Sequence, residues 1–390
     1  MVKNRSLQSD TIVILNQSSG YLQIDLLEVF NSKYAKRAII AGEIRFRKKL
    51  LDSDIKWHKV VKYNRKSKFT RIATWLVCTF QMLYILITKY RHADLLIVSN
   101  PPTSILLPLI IKNSFSLLVY DVYPDSLYQS GLINRKSLIV KYWGKINRKI
   151  FRKANRIFTL TDGMKEALSA YVNFDKIEVI PIWTDNKFLR PLEKKQNPFI
   201  KKHNISEKFV ILYSGNLGHT HDIETIVELA STINNPEIIF VIIGEGEKEV
   251  LLAKMIQEYN LQNVLMLPWQ PTDQLPYTLS SADLAIVTLG KDASTLSVPS
   301  KTFNYLSVGA PVLCIGSKKS ELHRLINQYG IGKCFQKNEI SEMRDFIYHL
   351  KSDQDYHLQL RQNSLIASRD FGPENALMFL DEALVVDVIN

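Results

Sequence analysis

Short apolar runs separated by amphipathic segments recur along the whole chain, and this alternation most restricts what it can fold into. In the first half, residues 12–15, 38–40, 95–98, 117–120, 157–160 and 177–180 read as short buried strands with helical patterns between them. Most end in polar or Gly/Pro-bearing loops, such as Asn16-Gln17-Ser18-Ser19-Gly20 and Ser99-Asn100-Pro101-Pro102. Residues 181–202, rich in Pro, Lys and Asn, read as a linker. A second series follows, with strands at 209–213, 238–243, 264–267, 284–288 and 312–315. Parallel strands must be joined by crossovers, so strand–helix alternation predicts parallel sheets covered by helices on both faces. Two series predict an α/β chain of two facing doubly wound, Rossmann-like domains. They are placed at residues 1–190 and 191–370, with a last helix in 371–390 that crosses back to the first. Ligands of such sheets sit at the carboxyl ends of the strands, so an interdomain cleft is the expected site.

Composition removes several other classes. A chain of 390 residues that is 46% hydrophobic is too apolar for disorder and long enough for two cores. Cys78, Cys314 and Cys334 are far apart in sequence and lack CxxC spacing, which excludes a disulfide framework, argues against zinc and points to a reducing compartment. The formal charge of +12 is unevenly divided. Residues 1–200 hold 34 Lys and Arg against 15 Asp and Glu, a net of +19; residues 201–390 hold 16 against 23, a net of −7. A nucleic-acid coat would not divide in this way, and no basic and aromatic motif recurs, so no nucleic-acid partner is expected. The basic half faces something anionic instead.

The polar opening, MVKNRSLQSD, contains no secretory apolar region. One segment has near-membrane length: residues 72–88, IATWLVCTFQMLYILIT, between Arg71 and Lys89. Spanning is disfavoured, since the segments on both sides look like parts of one domain. Length alone favours a buried core helix. The preceding cations favour a helix lying in a membrane interface: Arg45, Arg47, Lys48, Lys49, Lys56, Lys59, Lys62, Arg65, Lys66, Lys68 and Arg71, each contributing ~1 kcal/mol beside an anionic leaflet. On that second reading Arg45, Arg47, Lys48, Lys49, Lys66, Lys68, Arg71 and Trp75 are the membrane contacts.

Two segments in the second half carry anion chemistry. Tyr213-Ser214-Gly215-Asn216-Leu217-Gly218-His219 joins a strand to a helix, and its glycines let backbone N–H groups approach an anion. A tight turn without a ligand is the plainer account of that motif taken alone. Ile243-Gly244-Glu245-Gly246 also ends a strand, but it lacks the third glycine of a dinucleotide fingerprint and reads as a turn lining the cleft. In Val298-Pro299-Ser300-Lys301-Thr302-Phe303-Asn304-Tyr305, Pro299 and Ser300 suit a helix start, which puts Lys301 in the first turn. A cation there opposes the helix dipole unless an anion joins it, so Ser300, Lys301 and the free N–H groups suit a diphosphate.

These segments, with Leu267-Pro268-Trp269-Gln270 and Ser281-Ala282-Asp283-Leu284, resemble the donor-binding domain of GT-B glycosyltransferases of family 4. The VPSK form resembles the bacterial polysaccharide-assembly branch, including fucosamine-type transferases. Tyr120-Asp121-Val122-Tyr123-Pro124-Asp125-Ser126-Leu127 is similar to that branch's D-x-W-P-E-S-L segment, and Val179-Ile180-Pro181-Ile182-Trp183-Thr184-Asp185 to its interdomain signature. The resemblance spans residues 95–315. It implies a nucleotide-sugar donor of UDP type, a lipid-linked saccharide acceptor, retention of anomeric configuration and no metal or other cofactor. Gly215, Asn216, Gly218, Ser300 and Lys301 would hold the diphosphate, and Trp269 and Gln270 would lie beside the base. The family's two glutamates fall on Leu296 and Asn304; Asn304 retains only a hydrogen bond to a ribose hydroxyl. His219 or His221 would replace the family's basic residue after the glycine turn. Location follows: cytoplasmic, peripheral on the inner face of the cell membrane.

Asp121, at the end of a first-domain strand, is the expected catalytic carboxylate, acting on the acceptor hydroxyl or on charge at the anomeric carbon. A structural turn aspartate is the competing account. The triplet Asp52-Ser53-Asp54 has the form of a metal-binding DxD but sits in the basic stretch, away from an apolar strand end, and reads as coincidence. A UDP-sugar epimerase of the same fold and a non-catalytic membrane adaptor are the other functions considered.

Overall fold

Each half of the chain builds one parallel sheet, and both sheets have the same strand order around their first strand. The computed structural model describes residues 9–47, 50–64, 66–126, 134, 137–218, 221–290 and 296–380. The first sheet contains β1 (Thr11–Leu15), β2 (Lys36–Ala41), β3 (Lys56–Lys59), β4 (Asp94–Val98), β5 (Phe115–Val119), β6 (Ile157–Thr159) and β7 (Ile177–Val179). Their order is β3-β2-β1-β4-β5-β6-β7, parallel throughout. Around it lie α1 (Tyr21–Val29), α2 (Lys68–Lys89), α3 (Leu138–Lys153) and α4 (Asp162–Ser169).

The second sheet contains β8 (Phe209–Ser214), β9 (Ile238–Ile243), β10 (Val264–Leu267), β11 (Leu284–Thr288), β12 (Val312–Ile315) and β13 (Gly332–Phe335). Its order is β10-β9-β8-β11-β12-β13. The main helices are α5 (Glu224–Ser231), α6 (Glu249–Glu258), α7 (Ser300–Ser307), α8 (Glu321–Tyr329), α9 (Ile340–Ser352) and α10 (Gln354–Arg369). Val210, Leu212, Val241, Ile243 and Ala285 enter one core, and Ile211, Tyr213, Phe240, Ile242 and Leu284 enter another. Side chains alternate across a strand, so a run that is apolar at every position needs cover on both faces. In both sheets the order reverses beside the first strand, between β1 and β4 and between β8 and β11, which is where such folds open a ligand crevice.

The chain divides into Met1–Pro181 with Pro373–Asn390, and Ile182–Gly372. Residues 182–190 therefore pack with the second domain and not the first, because Phe188 and Leu189 are part of its core and Thr184 N–H donates to the Phe371 carbonyl at 2.9 Å. Beyond Gly372 the chain returns to the first domain as a 3-10 segment, Pro373–Phe379, where an α-helix was expected. Arg156 holds it, donating to the carbonyls of Met378, Phe379 and Leu380 at 3.1, 2.9 and 3.0 Å while its guanidinium pairs with Glu178. The remainder of the expected helix, 381–390, lies outside the described residues.

Helix α2 overturns the core-helix reading. Ser67 caps it, accepting from Thr70 N–H at 3.1 Å, while Thr70 Oγ1 accepts from Ser67 N–H at 3.0 Å. Cys78, Met82 and Leu86, four residues apart, are fully buried on one face. The helix is long and apolar enough to cross a membrane, yet only 17% of its most apolar stretch is buried, and Phe69, Phe80 and Tyr84 are 80%, 70% and 69% exposed. It connects β3 and β4 of one sheet, and its buried row belongs to that domain's core. The polar Gln81 ties the helix to the segment before it, since its Oε1 accepts from Val61 N–H at 2.8 Å.

Candidate functional site

The second domain brings the two segments expected to hold an anion together at its switch point. Gly215, Asn216 and Gly218 follow β8, and Ser300 and Lys301 open α7 after β11. Two tyrosines shape the turn. Tyr213 hydroxyl donates to the Asn216 carbonyl at 2.8 Å, and Tyr305 hydroxyl accepts from Ser214 N–H at 2.8 Å. The second glycine turn braces the first: Gly215 N–H donates to the Ile243 carbonyl and Leu217 N–H to the Glu245 carbonyl, both at 2.9 Å. A Cβ on Gly244 would lie 1.9 Å from the Gly215 carbonyl oxygen, so this contact needs glycine. The Gly244–Gly246 turn therefore supports the Gly215–Gly218 loop, a role its sequence did not reveal.

Lys301 carries the electrostatics. Its ammonium lies 3.9 Å from the Tyr213 ring centroid and has no hydrogen-bond partner although the atom is buried. A Cβ on Gly215 would come within 2.4 Å of that nitrogen, so glycine leaves room for the amine against the backbone. Burial pulls the Lys301 pKa down to about 7. No side chain caps α7, which leaves its positive end available to an anion. His221 sits close enough for Lys301 to act on it; burial first, and then that cation, hold its pKa below the usual histidine range. His219 lies outside the described residues. Lys248, which sequence reasoning passed over, donates to the His221 carbonyl at 2.6 Å and pairs with Glu224 at 2.8 Å, fixing the start of α5.

Other candidates in this domain are placed differently. Trp269 follows β10 and is 56% exposed, while Gln270 donates to the Pro268 carbonyl at 2.7 Å. Asn304 Oδ1 accepts from the Thr184 hydroxyl at 2.6 Å. Its acceptor oxygen is therefore engaged within the protein, which weakens the expectation that it reads a ribose.

In the first domain Asp121 stands just beyond β5. Its N–H and that of Tyr120 converge on Ser99 Oγ at 3.3 and 2.9 Å, which fixes the strand end. The side chain reaches solvent but is surrounded by protein, and this desolvation pushes its carboxyl up to about 6. Tyr123, two residues on, stacks on Trp143 at 6.2 Å, and its carbonyl accepts from Asn147 Nδ2 at 2.6 Å. Leu127, the last residue of that motif, lies outside the described residues.

The expected membrane contacts that the structure describes differ in exposure and partners. Arg45 is exposed and pairs with Glu43 at 2.9 Å, Arg47 lies 3.8 Å over the Tyr21 ring, and Lys66 is exposed. Arg71 and Trp75 are only partly exposed. Arg71 lies 5.3 Å from the Trp75 ring centroid, and Trp75 stacks on Tyr63 at 6.0 Å, away from the exposed row of α2. Lys48, Lys49 and the side chain of Lys68 are outside what the structure describes. Asp52 and Asp54 both face the buried Arg37 guanidinium, which gives the DxD triplet a structural role.

The two distant cysteines of the second domain also meet: Cys314 and Cys334 are register partners on β12 and β13, with sulfurs 2.9 Å apart as free thiols.

Residues 195–365 match the family described as Glycosyl transferases group 1. The chain is 26% identical over 280 residues to the Probable glycosyltransferase WbjE of Pseudomonas aeruginosa, covering 70% of each. It is 21% identical over 267 residues to the Chitobiosyldiphosphodolichol beta-mannosyltransferase of Debaryomyces hansenii, covering 62% of this chain and 56% of that protein. The crystal structure of Anabaena HepE in complex with UDP and glucose superposes with a TM-score of 0.71 at 13% identity, covering 96% of this chain and 98% of that one. At that identity the likeness establishes the fold.

Proposed function

Starting from a chain of GT-B fold whose residues 195–365 match the glycosyltransferase group 1 family, we propose a retaining, metal-independent transferase of family 4, in the branch that includes fucosamine-type enzymes. It moves a sugar from a UDP-type nucleotide-sugar donor to a lipid-linked saccharide in surface polysaccharide synthesis. The observation that carries this reading is the buried, unpartnered ammonium of Lys301 beside Gly215. An isolated buried cation is costly, and a diphosphate seated on the α7 N-terminus offsets that cost by supplying opposite charge and hydrogen-bond acceptors. Gly215, Asn216, Gly218 and Ser300 complete the phosphate cradle, and Trp269 and Gln270 lie toward the base. Asp121 orients or deprotonates the acceptor hydroxyl; its raised pKa suits a group that exchanges a proton near neutrality.

The acceptor side rests on the exposed apolar row of α2 and on the cations that precede it, which suit a peripheral position on the inner membrane face. Among relatives, the yeast enzyme named above has a lipid diphosphate saccharide in its name, and an acceptor of that class fits this surface. Titration calorimetry with UDP tests the donor half. UDP is expected to bind the wild type and to lose at least about tenfold in affinity with Lys301→Met, about 1.4 kcal/mol. Equal affinity for both proteins would remove Lys301 from the site and with it the main support for this reading.

A further inference from the structure

Glu43 and Arg45, the stretch Val61 to Asn64, Lys66 and Thr74 in the second turn of α2 line an open cavity of about 560 Å³ in the first domain. Its lining includes Arg45, Lys62, Lys66, Tyr63 and Thr74, with Glu43 as the acidic member. Glu43 is already satisfied: it pairs with Arg45 at 2.9 Å and accepts from Ser18 Oγ at 2.9 Å. Lys62 acts on the Glu43 carboxylate from beyond ion-pair distance, and the ammonium groups of Lys62 and Lys66 make no ion pair within 4.0 Å among the described residues. An excess of positive charge therefore faces the cavity.

The walls are built, not incidental. Buried Gln17 donates from Nε2 to the carbonyls of Val61 and Thr74 at 3.2 and 3.0 Å, and Gln81 accepts from Val61 N–H. Gly42 permits the closest approach: a Cβ there would lie 2.4 Å from the Val61 carbonyl oxygen. In the first two turns of α2, Arg71 Nε and Trp75 Nε1 are buried without hydrogen-bond partners, and the lining residue Tyr63 stacks on Trp75. Tyr63 and Arg71 in turn lie near Tyr123, which also feels the Asp121 carboxylate. Three residues beyond Lys66, the exposed row of α2 begins at Phe69. Through Tyr63 the cavity thus adjoins the surroundings of the carboxylate assigned to the acceptor hydroxyl, and through Lys66 the start of the helix assigned to lipid.

We propose that this cavity is the binding site for the phosphate ester that joins the acceptor's saccharide to its lipid, with Lys62 and Lys66 as the cations that hold it. The inference rests on the proposed transferase reading and adds the residues that recognise the acceptor's anionic middle. A phosphate ester could also come from bulk anionic lipid, and the experiment separates the two sources.

Farnesyl diphosphate in neutral detergent micelles serves as the probe, titrated into the full chain. Two double variants are compared, Lys62→Gln with Lys66→Gln in the cavity and Lys56→Gln with Lys59→Gln on the exposed edge strand β3. UDP binding is measured on each protein as an independent check that the fold and donor site persist. The expected result is an affinity loss of about tenfold or more for the cavity pair, less than about twofold for the edge pair, and unchanged UDP binding. Equal losses from both pairs would mean general attraction of anionic headgroups and would overturn the site. No loss from the cavity pair would overturn it as well. If the wild type binds farnesyl diphosphate as described but not UDP, the donor reading fails while the phosphate site stands; if UDP binds and the cavity variants behave like wild type, only this inference fails.

Discussion

At the scale of single residues, two ionisable groups sit in environments that shift them toward neutrality from opposite sides. Lys301 is buried and its pKa falls to about 7. The unfolded chain then holds more protons than the folded one from about pH 7 up to the ordinary lysine pKa, so fold stability rises with pH across that window. A bound diphosphate favours the charged amine, so UDP binding near pH 8 should take up a proton. Calorimetry in buffers of differing ionisation enthalpy reads this directly, and the uptake should vanish in Lys301→Met. The same variant should be more stable than wild type at pH 7 by about 1–3 kcal/mol, since it removes an unsatisfied buried donor. Asp121 behaves in the opposite sense. Its carboxyl is raised to about 6, so its contribution to stability is complete in acid and is lost as pH rises through 6. If it is the acceptor's base, kcat/KM falls below about pH 6, and Asp121→Asn lowers kcat by about 10²- to 10⁴-fold and abolishes that limb. An unchanged kcat would leave Asp121 as a structural turn residue.

At the scale of elements, the central strands were legible because each is a continuous apolar run closed by a polar loop. The edge strands Lys56–Lys59 and Gly332–Phe335 were not, since an edge needs little apolar sequence and Lys56 to Lys59 is largely polar. Helix α2 was visible as a helix, but apolar periodicity does not tell a core face from an exposed one; the structure separates them, with Cys78, Met82 and Leu86 inward and Phe69, Phe80 and Tyr84 outward. Phe69→Ser with Phe80→Ser should therefore leave thermal stability nearly unchanged, because both rings are already in water, while co-sedimentation with phosphatidylglycerol vesicles falls several-fold. Loss of folding would return α2 to the core. The glycine turns show the same limit on what sequence reveals. Gly215 and Gly218 were recognisable from their position after a strand, but the brace at Gly244 depends on a strand paired only in space. Gly244→Ala should cost at least about 1–3 kcal/mol and weaken UDP binding in parallel, measured by denaturant unfolding and calorimetry. Asn304 and Thr184, 120 positions apart, form a pair that no local motif announces.

At the scale of the whole molecule, the division of charge between halves was readable from composition, while the division of the chain into domains was only nearly so. The basic residues do not form one uniform coat: Arg37 is committed to Asp54, Arg45 to Glu43, and Arg156 to Glu178 and the returning chain. Vesicle binding that depends on the remaining cations should fall sharply by about 0.5 M salt, where charges more than a few ångströms apart are screened, while UDP binding at the buried Lys301 should change less.

The clasp of Arg156 on the carbonyls of residues 378–380 has a further consequence, for the order of synthesis. The first domain leaves the ribosome first, yet its final segment is made last, after all of Ile182–Gly372. Until then the Phe158 ring lacks Phe379, which lies 4.4 Å from it by ring centroids, and Arg156 lacks its backbone acceptors. The nascent first domain must therefore wait with an open apolar seam while an entire second domain is translated, a window in which a holding chaperone has its best opportunity to act.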